Sequence, residues 1–143
     1  MVKLYVNKVV ICMSISFTLI SCQMDFIFIM VITMNKYHDK SDFEINKAVF
    51  HAARIKHKWF KFLPHGVVTY NIKGDWVIFD PCSNPADAFP LIIDVKLSIH
   101  PDFYNNCESW IVRTVHIPPV KDKSLTRAIC IAYLMMKDAE NES

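Results

Sequence analysis

Glycine is scarce in this chain, since only two of its 143 residues are glycines, Gly66 and Gly74. The loops that hold nucleotide phosphates in P-loop and dinucleotide-binding folds need several closely spaced glycines, because only a residue without Cβ lets the backbone approach the phosphate. Two glycines eight positions apart cannot build such a loop. The sequence therefore excludes these two ways of binding a nucleotide.

The cysteines lack the close spacing of metal and redox motifs. Zinc sites and thioredoxin-like sites use pairs separated by two residues, and none of the five cysteines is spaced in this way. Separate thiols are typical of a reducing cytoplasm, and Cys130, on the apolar side of a helical pattern, is expected in the core. We predict no metal site and no cofactor from the dispersed candidate ligands, which are His51, His57, Cys82, His100, Cys107 and His116.

An excess of charge of one sign is also missing. The formal net charge is +2, and without Lys3, Lys8 and Asp25 of the first 33 residues 14 basic and 13 acidic residues remain, a net charge of +1. Proteins that bind nucleic acid through its phosphates concentrate lysine and arginine well above neutrality. We therefore expect no nucleic-acid partner.

The first half of the chain after residue 33 contains start signals for a helix and a hairpin. Ser41 and Glu44 form a capping box, which predicts that a helix starts there. The strand-like segment Val67–Ile72 is followed by a polar turn, Lys73–Asp75, and by a second strand over residues 76–79, so the pair predicts an antiparallel hairpin. Pro81 then ends the second strand, since proline cannot donate to a ladder.

The second half contains two further helix starts and one clear strand. Asn84 before Pro85 is a favourable helix opening, and Pro90 predicts a kink or a fresh start within that helix. Alternation over residues 109–116 predicts a third strand, which Pro118 and Pro119 would stop. Ser124 or Asp122 caps a last helix with one apolar face. We predict an α+β domain in which about three helices cover one small antiparallel sheet of about three strands.

Three blocks of sequence carry a family resemblance. They are Ser-Asp-Phe-Glu-Ile-Asn-Lys at residues 41–47, Phe-Asp-Pro-Cys-Ser-Asn-Pro-Ala-Asp-Ala-Phe-Pro-Leu-Ile at residues 79–92, and Arg127-Ala128 followed by Leu-Met-Met-Lys-Asp at residues 134–138. In this order the blocks closely resemble the small bacteriophage proteins called NinX, from about Met34 to the end of the chain. The resemblance implies a dispensable phage accessory protein and a single domain over residues 34–143, but no activity, since the function of the family is unknown. The order of elements is also similar to the wider phage ABA sandwich domain.

The segment of residues 1–33 is apolar and allows three interpretations. Residues 9–33 contain one charged residue, Asp25. NinX-like sequences begin a few residues before the first block, so the resemblance favours a start misplaced upstream of Met34. A membrane segment over residues 9–33 is the second interpretation, although Asp25 would cost ~3 kcal/mol at a helix centre. The third is a lipoprotein signal, because residues 19–22 read Leu-Ile-Ser-Cys.

The candidate site lies in the second block and in the strand just before it. Trp76 and Phe79 precede a proline-stiffened turn that leads into a helix N-terminus, where backbone amides can hold an anion or a small planar ligand. The alternative is that both aromatics fill the core and the turn only connects two elements. Asp80 and Asp87 could also act as catalytic carboxylates, although each has a local structural role as a turn or first-turn residue. The candidate ligand-binding residues are Trp76, Asp80, Cys82, Asn84 and Asp87.

We therefore predict a non-catalytic phage or prophage accessory protein that binds a host or phage protein in the cytoplasm of the host bacterium. No membrane is involved if translation starts at Met34; otherwise residues 9–33 would anchor the protein. The alternative function is binding of a nucleotide-like anion at the turn from Asp80 to Asp87, and a hydrolase is a weaker third hypothesis. An open pocket lined by Trp76, Asp80, Asn84 and a basic residue would favour the ligand, whereas a filled turn would favour protein contacts.

Overall fold

A computed structural model describes residues 36–53, 60–63 and 66–142. They belong to one compact unit, Met34–Ser143. The predictions for residues 1–33, including the lipoprotein and membrane interpretations, lie outside the described residues. In the part that is described, no helix combines the length and the apolar character that a membrane span requires.

The described unit is α+β, with helices and strands interspersed along the chain. The helices are α1 (Asp42–Ala52), α2 (Pro85–Val95) and α3 (Leu125–Asn141), and a 3₁₀ turn covers Phe103–Asn105. The strands are β1 (Phe60–Leu63), β2 (Val67–Ile72), β3 (Asp75–Phe79), β4 (Ser98–Pro101), β5 (Trp110–Thr114) and β6 (Ile117–Asp122). They form two antiparallel sheets in the orders β1-β2-β3 and β4-β5-β6, not the single sheet of about three strands that the sequence predicted.

The predicted hairpin is present as β2 and β3. Ile72 lies opposite Asp75, so the loop consists of Lys73 and Gly74 alone. Both have positive φ, 52° and 105°, as the two-residue turns that match strand twist require. The Asn71 side-chain oxygen accepts a hydrogen bond from the Gly74 amide at 3.0 Å and closes the turn.

Pro118 and Pro119 lie within β6, so the prediction that they end the strand region is wrong. Thr114 pairs with Ile117 and Val112 with Val120, and the register shifts between them. The two prolines therefore lie opposite the single residue Arg113, in a β-bulge, where the ladder needs no amide from them. β6 is an edge strand, which is where a sheet tolerates proline. β4 likewise ends on a proline, Pro101.

The predicted caps begin helices α1, α2 and α3. Ser41 and Glu44 form the capping box of α1, Asn84 caps α2 with Pro85 at the first helical position, and Ser124 rather than Asp122 caps α3. Helix α2 continues through Pro90 without a fresh start. Pro90 has no amide hydrogen to donate to the carbonyl of Ala86, four residues earlier. Ala86 is exposed, so water can satisfy that carbonyl.

Helix α3 is the centre of the core. The eight consecutive residues from Ala128 to Met135 are all buried, a pattern found in helices that are covered on every side. Helices α1 and α2 and strands β5 and β6 contact it. The sequence predicted one apolar face on this helix, and the structure buries its other faces as well.

Candidate functional site

The turn between β3 and α2 holds most of the candidate residues and is closed by its own backbone. The amides of Ser83 and Asn84 both donate to the carbonyl of Asp80, at 3.2 and 2.7 Å. Pro81 and Cys82, inside the turn, are buried. The segment is therefore a compact turn whose middle residues are buried.

Asn46 of α1 attaches this turn to the rest of the domain. Its Nδ2 donates to Asp80 Oδ1 at 2.7 Å, and its Oδ1 accepts from the Cys82 amide at 3.1 Å. The residue is 3% exposed. Sequence reasoning missed it, although Asn46 shares the buried side of α1 with Val49 and Phe50 and a buried amide needs partners.

Asp87 and Asn84 satisfy the amides of the helix start. Asp87 Oδ2 accepts from the Asp80 amide and from Asn84 Nδ2, both at 3.1 Å. Asn84 Oδ1 accepts from the Ala86 amide at 3.1 Å, and the amides of Asp87 and Ala88 donate to the Asn84 carbonyl. Pro85 has no amide hydrogen. Every first-turn amide therefore already has an acceptor, and two carboxylates lie beside them where an anion would have to bind.

Cys82 is 4% exposed and contacts Cys130 of α3, which is fully buried. The hydrogen bond between the two thiols, with burial as the second cause, raises the pKa of Cys130 well above its ordinary value. Both cysteines are free thiols, and the Thr126 hydroxyl donates to the Cys82 carbonyl. Cys82 thus fixes the turn to α3, and its sulfur lies inside the protein.

Trp76 and Phe79 point to opposite faces of their strand. Phe79 is 6% exposed and in the core, as predicted, whereas Trp76 is 47% exposed. A spacing of three residues along a strand always gives opposite faces, so the sequence contained this information. The Lys61 ammonium group lies 4.6 Å from the centre of the Trp76 ring.

Two neighbouring cavities lie beside α2 and α3, with volumes of about 460 and 430 Å³. They share Ala53, Asp94 and Tyr133 as lining residues, and Asp87 lines the second. Neither is lined by Trp76, Asp80 or Asn84. The five candidate residues are therefore not brought together around one of these spaces.

The candidate carboxylates are engaged as hydrogen-bond acceptors, Asp80 with Asn46 and Asp87 with Asp80 and Asn84. Within residues 36–53, 60–63 and 66–142, no group of three or more histidine, cysteine, aspartate or glutamate side chains is arranged to hold a metal ion. The arrangement supports a structural role for both carboxylates in this turn.

The outer face of the β1-β2-β3 sheet is the exposed apolar surface nearest to the candidate residues. Val68 and its partners Phe62 and Phe79 face the core, so the alternate residues face outward. Leu63, Trp76 and Ile78 on that side are 38, 47 and 61% exposed. We call this surface the outer sheet face; its residues are Lys61, Leu63, Val67, Thr69, Asn71, Trp76 and Ile78.

The three sequence blocks behind the family resemblance meet in the fold. Asn46 of the first block bonds to Asp80 and Cys82 of the second, and Cys82 contacts Cys130, which lies between the two parts of the third. Arg127 of the third block pairs with Asp42 and Asp122, and donates to the carbonyls of His38 and Lys40.

Comparison of the chain with the curated proteins finds no match, and neither does comparison with the solved structures. A family model described as Bacteriophage P22, NinX matches residues 36–137. The match covers well over half of the chain and contains the first two blocks and all of the third except Asp138. The chain therefore belongs to the NinX family of bacteriophage proteins.

Proposed function

We propose that this NinX-family protein is a non-catalytic interaction module that binds a host or phage protein in the cytoplasm of the host bacterium. Membership of the family supports an accessory role in a phage or prophage. The observation that carries the proposal is the outer sheet face, where Leu63, Trp76 and Ile78 remain exposed on one side of a sheet whose other side packs on the core. Exposed apolar residues grouped on one face of a sheet are typical of protein contact sites.

The partner suggested by this surface is a protein with an apolar patch that carries an acidic side chain. Lys61 is the charged residue of the outer sheet face, and its ammonium group lies over the Trp76 ring. Tryptophan contributes a large contact area at interfaces, and a carboxylate opposite Lys61 would fix the orientation of the partner.

The closed turn from Asp80 to Asp87 supports protein contacts over the nucleotide-like ligand. An anion at the start of α2 would need free amides, and those amides already donate to Asn84. We assign the turn the role of holding β3, α1 and α2 in fixed relative positions, so that the outer sheet face is presented as a rigid surface.

The experiment is cross-linked capture from infected cells with the full chain and four variants. Lys61→Glu reverses the charge of the face, and Ile78→Glu places a charge in its apolar part. The matched controls are Ile93→Glu, since Ile93 is 65% exposed against 61% for Ile78, and Lys123→Glu, an exposed lysine elsewhere. All variants are checked for an unchanged thermal unfolding midpoint.

We expect one protein to be captured by the wild type and both controls, and to be lost with Lys61→Glu and Ile78→Glu. Equal capture by all five chains would overturn the proposal. Backbone amide NMR shifts confined to residues 76–88 on titration with nucleotides would support the ligand-binding alternative instead.

A further inference from the structure

The edges of the two sheets differ in how they are protected against pairing with another strand. In the second sheet, β6 contains Pro118 and Pro119 and a bulge, and β4 has four residues and ends in Pro101. In the first sheet, β1 carries Lys61 at its centre. Proline, bulges, short strands and lysine are the usual protections of an edge.

Among the described residues, strand β3 has none of these protections. It is five residues long, contains no proline, and pairs with β2 on one side. Its central residues Trp76, Val77 and Ile78 are uncharged and 47, 36 and 61% exposed. An edge strand of this kind is a template for strand addition, because its free amides and carbonyls need partners.

The strand sequence is complementary to itself in the antiparallel direction. When two copies pair about a two-fold axis at Val77, this residue lies opposite itself and Trp76 lies opposite Ile78 on the same face. Aromatic and β-branched residues are favourable cross-strand pairs. The charge of the strand, Asp75, lies at its end and faces Phe79 of the other copy, so no like charges come into opposition.

We propose that β3 pairs with β3 of a second copy of this chain, joining two three-stranded sheets into one continuous sheet of six strands. The net charge of +2 on each chain opposes association only weakly. A pair of five-residue strands is small beside stable interfaces, which bury about 1,200–2,000 Å². The dimer is therefore concentration-dependent. Trp76 and Ile78 belong both to this contact and to the outer sheet face, whereas Val77 points away from that face, so substitutions at Val77 test the pairing separately from the proposed function.

A charge exchange at Val77 tests the pairing in the full chain by sedimentation velocity over a range of concentrations. Val77→Glu places two carboxylates opposite each other, and Val77→Lys places two ammonium groups there. Each variant alone is expected to be monomeric at concentrations where the wild type is dimeric. An equal mixture of the two is expected to restore the dimer, since opposite charges then face each other.

The control is the same exchange at Val115, which is 88% exposed in the turn between β5 and β6. Val115→Glu and Val115→Lys should each dimerise like the wild type. A wild type that stays monomeric at every concentration overturns the proposal. A dimer that persists in both Val77→Glu and Val77→Lys also overturns it. A third contrary outcome is a mixture of these two variants that stays monomeric although each retains the wild-type unfolding midpoint.

Discussion

Asn46 supplies both a donor and an acceptor to a turn that lies 34 and 36 residues further along the chain. Its amide stabilises the Asp80 carboxylate and the Cys82 amide at the same time, in a place that solvent hardly reaches. The side-chain amide carries its donor and its acceptor on separate atoms, so one residue serves both groups.

Replacing Asn46 by alanine should destabilise the domain by about 1–3 kcal/mol, because the Cys82 amide is left buried without its acceptor. The urea unfolding midpoint measures the loss. Asn141→Ala, at an exposed position, is the control and should change the midpoint little. A shift no larger than that of the control would show that the turn is held by Cys82 and Thr126 instead.

Asp102 should make stability depend on pH. The hydrogen bond from Lys121 lowers the pKa of Asp102 below its ordinary value of 3.8. Burial raises this pKa in part, whereas hydrogen bonds from the Ser109 hydroxyl and the Tyr104 amide lower it further. A lowered folded-state pKa means that this stabilisation is present above pH ~4 and is lost as the pH falls through the folded value. Asp102→Asn should therefore weaken the acid dependence of the unfolding free energy. The exposed control Asp75→Asn should keep the acid dependence of the wild type. If the unfolding free energy of Asp102→Asn also falls with pH as steeply as that of the wild type, this role of Asp102 is contradicted.

At the scale of single elements, local signals decide where helices begin. Each cap side chain accepts a hydrogen bond from an amide two or three residues ahead, so the information lies within one turn of chain. Strands depend on their neighbours instead, since Pro118 and Pro119 fit β6 because they form a bulge in that strand opposite the single residue Arg113 of β5.

Asn84→Ala should cost ~1 kcal/mol of stability, since the first-turn amide of Ala86 loses its acceptor. Urea unfolding followed by circular dichroism checks this value, with exposed Ser83→Ala in the same turn as control. If the two variants unfold at the same midpoint, the Asp87 carboxylate is sufficient to hold the start of α2.

The whole described unit depends on contacts made just after Met34. The Tyr37 hydroxyl donates to Asp138 at 2.7 Å, and burial, with this hydrogen bond, raises the pKa of Tyr37 to about 12, so the donor persists into alkaline solution. Arg127 holds the carbonyls of His38 and Lys40. These contacts of Tyr37, His38 and Lys40 with α3 lie within the compact unit Met34–Ser143.

Residues 34–143 expressed alone should be soluble and melt cooperatively, because they retain all these contacts. Residues 42–143 should melt at a lower temperature, since they lack Tyr37 and the Ser41 cap. Thermal unfolding of both fragments compares them directly. Aggregation of residues 34–143 under conditions in which the full chain stays folded would show that the first 33 residues contribute to folding.

The sequence alone determined the α+β class, the three helix starts, the β2–β3 hairpin and the family, because caps, two-residue turns and motif blocks act over a few residues. The likeness to the ABA sandwich stays a prediction. The tertiary structure decided what depends on distant neighbours: two sheets in place of one, the burial of α3 on every side from Ala128 to Met135, and the partners of Asn46. It also decided which face of β3 packs on the core: alternation places Trp76 and Phe79 on opposite faces, and the packing of Phe79 into the core leaves Trp76 outward.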